Sequence, residues 1–190
     1  MSTNTTPGTP NLDHPVFARV KDAFPGATLN GTEFRGASTL IVEPADLHKV
    51  MTFLRDDAEC LFDFLSDVVG LDYLNYPSAT PGRFAVAYVL CSTERNDRFH
   101  VKTHVDPTLP TDGIEEDPGL WVDSVCDLWP GAEWMEREVF DMIGVRFNGH
   151  PDLRRILTWK DFPAHPLRKD YPVRGRGERE AYRLIDRTDA

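Results

Sequence analysis

The stretch RFAVAYVLCSTERNDRFHVKTHVD, residues 83–106, decides the fold because it carries the clearest strand signal in the chain. Two runs rich in β-branched and aromatic residues, 83–93 and 98–106, flank the polar connection ERND, whose length suits a hairpin. In the second run, alternate residues from Phe99 to Val105 face one side, and the histidines and lysine between them face the other. The stretch therefore predicts an antiparallel pair with one apolar face.

The segments around this hairpin predict helices that cover the apolar face. We expect a first helix opened by Asp13 and Pro15, a strand over 38–43, an amphipathic helix over 44–57, a helical turn and then a strand over about 67–74, an exposed loop over 107–119, and a charged helix over 133–144. This order predicts an α+β fold: a two-layer single domain with a mixed β-sheet covered by helices, and an extended C-terminal arm.

The length of 190 residues favours one domain. We expect a flexible lead over 1–12, the α+β domain over 13–173 and a charged tail over 174–190. No run approaches the roughly 18–20 apolar residues of a membrane-spanning helix, and the polar N-terminus lacks the features of a secretory signal. These features predict a soluble chain without a signal peptide or transmembrane helix, most simply cytoplasmic.

The charge of the chain is strongly acidic and unevenly distributed. Its net charge of −10 argues against nonspecific nucleic-acid binding. Residues 1–149 carry a net charge of −13, whereas residues 150–190 carry +3. This asymmetry suggests that the C-terminal part faces something other than bulk water.

The reactive residue types do not form a recognisable catalytic or redox motif. Three widely spaced cysteines are too few for an iron–sulfur cluster, which needs about four thiolates. His100 and His104 alternate along a strand and so lie too far apart for a shared metal. There is no P-loop, dinucleotide fingerprint or nucleophile elbow. The sequence thus predicts no catalytic residue, no bound cofactor and no metal site.

The charged helix over 133–144 leaves three interpretations open. Met135, Val139, Met142 and Ile143 predict its buried stripe, and Gly144 is a natural stop. On another face Glu133, Arg137 and Asp141 repeat every fourth residue, as in an acid–base–acid ladder of ion pairs. This face is compatible with a solvated surface, an acid/base catalytic pair, or a docking surface for a partner.

Two later segments have the same pattern, a His-Pro step followed by basic residues. His150 and His165 each precede a proline, which disfavours the helical conformation at both positions. Basic residues follow each block, Arg154 and Arg155 in the first and Arg168 and Lys169 in the second. Their spacing suits electrostatic anchors better than metal ligands.

Taken together, AEWMEREVFDMIG (132–144), FNGHPDLRRIL (147–157) and HPLRKD (165–170) resemble the 30 kDa subunit family, also called the C subunit family, of the proton-translocating NADH:quinone oxidoreductase, respiratory complex I. The resemblance runs, with weaker matches, from about 40 to 173. It implies a subunit-interface role for the residues of the shared motifs, which are Trp134, Glu136, Arg137, Glu138, Asp141, Gly144, His150, Pro151, Arg154, Arg155, His165, Pro166, Arg168, Lys169 and Asp170.

The resemblance also implies a place in a larger assembly. Members of this family hold no cofactor, whereas the whole complex contains FMN and Fe–S clusters and uses NADH and quinone. They lie in the peripheral arm on the cytoplasmic side of the cell inner membrane, against the D subunit with its quinone pocket and the B subunit with the terminal Fe–S cluster. The chain would be enzymatic only as part of that translocase, without an active site of its own.

Two alternatives remain from the sequence. One is the equivalent subunit of a related membrane-bound hydrogenase complex. The other is a metal-dependent hydrolase that uses Glu138, Asp141 and His150.

Overall fold

The computed structural model describes residues 13–109 and 116–178, so the N-terminal lead, residues 110–115 of the predicted loop and the tail beyond 178 lie outside the described residues. The elements are α1 (Pro15–Ala23), β1 (Leu29–Phe34), β2 (Ala37–Val42), α2 (Leu47–Asp56), β3 (Phe64–Asp72), β4 (Phe84–Ser92), β5 (Asp97–Val105), β6 (Trp121–Asp123), α3 (Ala132–Ile143) and β7 (Arg146–Asn148). Short 3₁₀ turns precede α2 and β6.

A five-stranded sheet forms the main layer, in the order β1-β2-β5-β4-β3. The β2–β5 pair is parallel and the other three pairs are antiparallel, so the sheet is mixed. The helices share one core cluster with one face of this sheet. The predicted two-layer α+β fold is confirmed, and the hairpin of residues 83–106 supplies its centre as β4 and β5.

Burial follows the predicted periodicities. Phe99, Val101, Thr103 and Val105 of β5 point into the core. On α2, Leu47, Val50, Met51 and Leu54 are fully buried, as their spacing along the helix predicts. The apolar face of the hairpin and the apolar stripe of α2 therefore build the same core.

Several elements differ from the prediction. Strand β1 was missed because LNGTEF mixes polar residues with a glycine, and β6 and β7, with three residues each, are too short for a pattern. Strand β3 begins at Phe64, three residues before the predicted start, because a register shift between Leu65 and Asp67 breaks its alternation. The helical turn predicted ahead of it is only a turn at 58–60.

None of the helices within residues 13–109 and 116–178 combines the length and the apolar character needed to cross a bilayer.

Helix α3 packs directly on the edge strand β3. The contact is close at Gly70, where an added Cβ would lie 2.8 Å from Cγ1 of Ile143 and 3.0 Å from Cγ1 of Val139. The absence of a side chain at Gly70 thus sets the distance between α3 and the sheet, and with it the position of the charged helix.

Replacing Gly70 with alanine should push α3 away from the sheet. We expect Gly70→Ala to lower the free energy of unfolding by about 1–2 kcal/mol in urea titrations, since overpacking outweighs the entropic benefit of losing a glycine. Gly26→Ala is the matched control, because a Cβ there meets nothing within 4 Å. Equal stabilities of the two variants would contradict this account of the contact.

Candidate functional site

Helix α3 turns three of its charged side chains inward. Glu136 and Asp141 have 0% of their surface exposed and Arg137 has 8%, whereas Glu138 is exposed. A solvated face with weak ion pairs, one of the interpretations of the face that carries Glu133, Arg137 and Asp141, is therefore wrong for Arg137 and Asp141. Buried charges need hydrogen-bonded partners, and the structure supplies them from the chain itself.

Asp141 anchors the start of the segment that follows β7, residues 150–178, which we call the C-terminal segment. Its Oδ2 accepts the backbone N–H groups of Ile156, Leu157 and Thr158 at 3.0, 2.8 and 2.8 Å. Its Oδ1 accepts Nη1 of Arg155 at 2.7 Å and the Thr158 hydroxyl at 2.5 Å. One carboxylate thus fixes four consecutive residues in an irregular conformation.

The protonation of Asp141 follows from these contacts. Burial alone would raise the pKa of Asp141, but the hydrogen bonds from Thr158 and the ion pair with Arg155 outweigh it and hold that pKa at about 2. The carboxylate is therefore ionised at neutral pH with its oxygens fully occupied by donors. It is unsuited to act as a base or as a metal ligand.

Glu136 fixes the loop before α3. Its Oε1 accepts the N–H of Val125 at 2.8 Å, and its Oε2 accepts the Ser124 hydroxyl at 2.7 Å and the Cys126 thiol at 3.4 Å. Burial raises the pKa of Glu136, and the hydrogen bonds from Val125 and Ser124 offset part of that rise. The role of this side chain is to join the 124–126 loop to the helix.

Arg137 does not form the predicted ladder with Glu133 and Asp141. Its Nε and Nη2 donate instead to the carbonyls of Arg154 and Arg155 at 3.1 and 3.3 Å. The ladder prediction failed because spacing along one helix cannot reveal that a later segment lies over that face. Arg137 therefore binds the same part of the C-terminal segment as Asp141.

The HPLRKD block closes the C-terminal end of α3. Nδ1 of His165 donates to the Asp141 carbonyl at 2.9 Å, the N–H of Leu167 to the Met142 carbonyl at 3.0 Å, and Nε of Arg168 to the Ile143 carbonyl at 2.6 Å. These carbonyls lack partners within a helix, and a cation at this end is favoured by the helix dipole. The second block is thus an internal helix cap.

Gly144 is required both by backbone conformation and by space. It ends α3 in the left-handed region at φ 90°, as predicted for a C-cap. A Cβ at this position would lie 2.5 Å from Nη2 of Arg168 and 2.7 Å from the His165 ring. The glycine therefore admits the second block against the helix end.

Arg83 and Asp72 complete the network and were missed by the sequence analysis. Arg83 lies between the Asp72 and Asp170 carboxylates, at 3.0 and 2.8 Å. Asp72 also accepts the backbone N–H of Lys169 at 2.8 Å. No local pattern reveals this contact, since the two partners are 97 positions apart in the chain.

Of the remaining residues predicted for a subunit interface, some are bonded within the chain and others are exposed to solvent. Nε2 of His150 donates to the Glu133 carbonyl at 2.9 Å, while Nδ1 accepts the Asp152 N–H at 3.0 Å. Arg154 is exposed and pairs with Asp152 at 2.8 Å. Of the four expected anchors, Arg155 and Arg168 serve the interior, whereas Arg154 and Lys169 face solvent, as does Pro151; Pro166 is half-buried.

Large apolar side chains, rather than charges alone, occupy the outer surface of this region. Leu157 is 64% exposed, Leu167 61% and Trp134 64%. Trp159 and Val173 are exposed as well, beside a cleft of about 410 Å³ lined in part by Leu157, Phe162 and Tyr171. We call Leu157, Trp159, Leu167 and Val173 the apolar rim of the C-terminal segment.

One group of potential metal ligands comes together here, and it is not the one considered from the sequence. Ligand atoms of Cys126, Glu136 and His150 lie within 4.8 Å of one another. Both ring nitrogens of His150 are already hydrogen-bonded, and burial raises the pKa of the Cys126 thiol to about 12. The contacts of this group are those of a hydrogen-bonded cluster that joins the 124–126 loop to α3.

Comparison with known proteins bears directly on this region. The family model described as respiratory-chain NADH dehydrogenase, 30 Kd subunit, matches residues 40–177. The chain belongs to this family.

Curated members of the family are similar along most of their length. The C subunit of the NADH-quinone oxidoreductase of Xanthobacter autotrophicus is 44% identical over 160 residues, which cover 84% of this chain and 69% of the relative. The protein of the same name from Roseiflexus sp. is 43% identical over 158 residues, covering 83% of both chains. Since 40–177 includes every charged contact described above, the network lies within the family's shared region.

Solved structures show the same architecture. A trypsin-resistant fragment (1-134) of Nqo5 aligns with a TM-score of 0.58 at 32% identity and covers 73% of this chain and 97% of that one. A chain of the membrane-bound sulfane sulfur reductase, an archaeal respiratory membrane complex, aligns with a TM-score of 0.63 at 20% identity over 93% of this chain and 96% of its own. The second likeness shows the fold alone.

Removing the charge of Asp141 should loosen the C-terminal segment. Asp141→Asn is expected to lower the free energy of unfolding at pH 7 by about 3–5 kcal/mol, because it removes the charged partner of Arg155, whose side chain is only 10% exposed. Asp152→Asn, which breaks an exposed pair with Arg154, should cost less than about 1 kcal/mol. Urea titrations of the two variants measure the difference.

The stability of the unsubstituted chain should depend on pH through the same carboxylate. An unfolded Asp has a pKa of about 3.9, so the unfolded state takes up the proton first and about 2–3 kcal/mol of stability is lost as the pH falls from about 5 to about 1. The difference in stability between the unsubstituted chain and Asp141→Asn should shrink over that range. A constant difference down to pH 2.5 would contradict the assignment.

Proposed function

We propose that this chain is a structural subunit, without a cofactor of its own, of the peripheral arm of NADH:quinone oxidoreductase. In this role it supports electron transfer from NADH through FMN and Fe–S centres to quinone, coupled to proton translocation, on the cytoplasmic side of the cell membrane. The observation that carries the proposal is the family match over 40–177 together with 44% identity to a named C subunit of that enzyme.

The chemistry of the described residues supports a role without an active site. The Asp141 carboxylate is occupied by donors, and that of Glu136 is buried among its partners. Burial raises the pKa of Cys60 to about 11 and that of Cys126 to about 12, which makes both poor thiolates for metal or redox chemistry. These residues hold structure instead.

The apolar rim supplies the docking surface in this proposal. Its side chains project from a backbone that Asp141, Arg137 and the HPLRKD block hold in place, so little conformational entropy would be lost on binding. Exposed Leu and Trp side chains beside a cleft suit the apolar core of an interface, and Arg154 and Lys169 suit its polar border. The partners are the D subunit with its quinone pocket and the B subunit with the terminal Fe–S cluster.

Co-purification tests the function. The full chain, tagged and expressed in its own cells, should emerge from a mild detergent extract together with subunits that carry FMN, Fe–S clusters and NADH oxidation. Recovery of the chain alone would contradict the proposal. Recovery with hydrogenase subunits would assign it to the alternative assembly.

Truncating the apolar rim should weaken assembly and leave the fold intact. The double variant Leu157→Ser/Val173→Ser should lose about tenfold or more of the co-purified partners, since a truncated interface anchor costs about 1–2 kcal/mol. Phe34→Ser is the control, because Phe34 is 72% exposed on β1 at the other edge of the sheet. Urea titrations should give unchanged stabilities, and undiminished recovery of partners by the double variant would exclude the rim.

A further inference from the structure

The outer edge of β3 offers unpaired backbone groups to a partner. Tyr73 donates its N–H to the Arg83 carbonyl at 2.7 Å, so the backbone N–H and C=O groups at odd positions in the regular part of β3 point toward β4. The backbone N–H and C=O groups of Val68, Gly70 and Asp72 therefore point away from the sheet. Val68 donates to the side chain of its own neighbour Asp67 at 2.8 Å, and within the described part of the chain no backbone carbonyl accepts the N–H of Gly70.

A groove follows this edge. A cavity of about 270 Å³ lies beside the contact between β3 and α3 and is lined on the β3 side by Asp67–Gly70. Its apolar lining comes from Val139, Met142, Ile143 and the exposed Leu167. Asp67 and Glu138 give it two carboxylates, and among its described lining residues there is no basic side chain to balance them.

This edge has few of the features that keep isolated edge strands from pairing. It contains no proline and no lysine, and it exposes Phe64 to 54% and Val69 to 37%. The register shift between Leu65 and Asp67 protects only its first residues. The stretch from Val68 to Asp72 remains regular. Its ends are occupied, since Val68 is buried and Asp72 accepts the Lys169 N–H, whereas Val69, Gly70 and Leu71 between them are exposed or half-buried.

We propose that an extended segment of a neighbouring subunit, with alternating apolar and basic side chains, adds to β3 as a sixth strand over Val68–Asp72. Its apolar side chains would enter the groove beside α3, and its basic side chains would pair with Asp67 and Glu138. A second copy of this chain is the poorer occupant, because it would bring the same carboxylates to the groove. The inference rests on the proposed function only in requiring a multisubunit complex.

Hydrogen–deuterium exchange with residue-level detection tests the added strand. In the isolated full chain, the Gly70 amide should exchange about 100-fold or more faster than those of Val69 and Leu71, which pair with β4. In the purified complex the Gly70 amide should become as slow as these neighbours. A Gly70 amide that remains fast in the complex would overturn the added strand, whereas failure of the apolar rim would show in the co-purification of its variants.

Reversing a charge in the groove tests whether the added strand is basic. Glu138→Lys should restore fast exchange at Gly70 in the complex, or reduce recovery of the partners at least about tenfold, by placing a cation against a basic strand. Glu94→Lys makes the same charge change at an exposed position in the β4–β5 turn and should do neither. Protection of Gly70 unchanged by Glu138→Lys would contradict a basic occupant. Slow exchange at Gly70 in dimers of the isolated chain would indicate a second copy, and loss of protection on removal of residues 179–190 would indicate the chain's own tail.

Discussion

The Asp141 carboxylate is the interaction on which the rest of this region depends. It is fully buried, and its donors come from four consecutive residues that have no regular secondary structure. Without the carboxylate those N–H groups would need water or a partner chain. The helix therefore fixes the conformation of the C-terminal segment. Glu136 holds the 124–126 loop in the same way, and Arg137 adds two bonds to the carbonyls of Arg154 and Arg155.

This arrangement reverses the first impression that the charged helix gives. Glu136, Arg137 and Asp141 of the helix face inward and are bonded within the chain, whereas Leu157, Leu167 and Trp134 face outward. Buried pairs contribute little net stability but are costly to break on one side, so they favour one conformation over others. A fixed backbone that presents apolar side chains is well suited to a subunit whose role is to be covered.

The fold was largely predictable because its signals are local. The alternation in β4 and β5 and the stripe of α2 are readable in windows of about ten residues. The motif residues could be named from the sequence, but their contacts could not be predicted, since the bond from Arg137 to Arg154 and the bond from Lys169 to Asp72 join separate segments. Strand β1 could not be predicted because its glycine and polar residues give no alternation of apolar and polar side chains. The role of Arg83 could not be predicted because nothing in its local sequence distinguishes it from other arginines.

Amide exchange in the isolated full chain tests the central claim, which is that these charges are satisfied without a partner. The account predicts that the amides of Ile156, Leu157 and Thr158 exchange at least about 100-fold more slowly than in an unstructured peptide at neutral pH, and that protection disappears in Asp141→Asn. Exchange at the unstructured rate in the isolated chain would mean that the segment is ordered only by a neighbour, and would contradict the account.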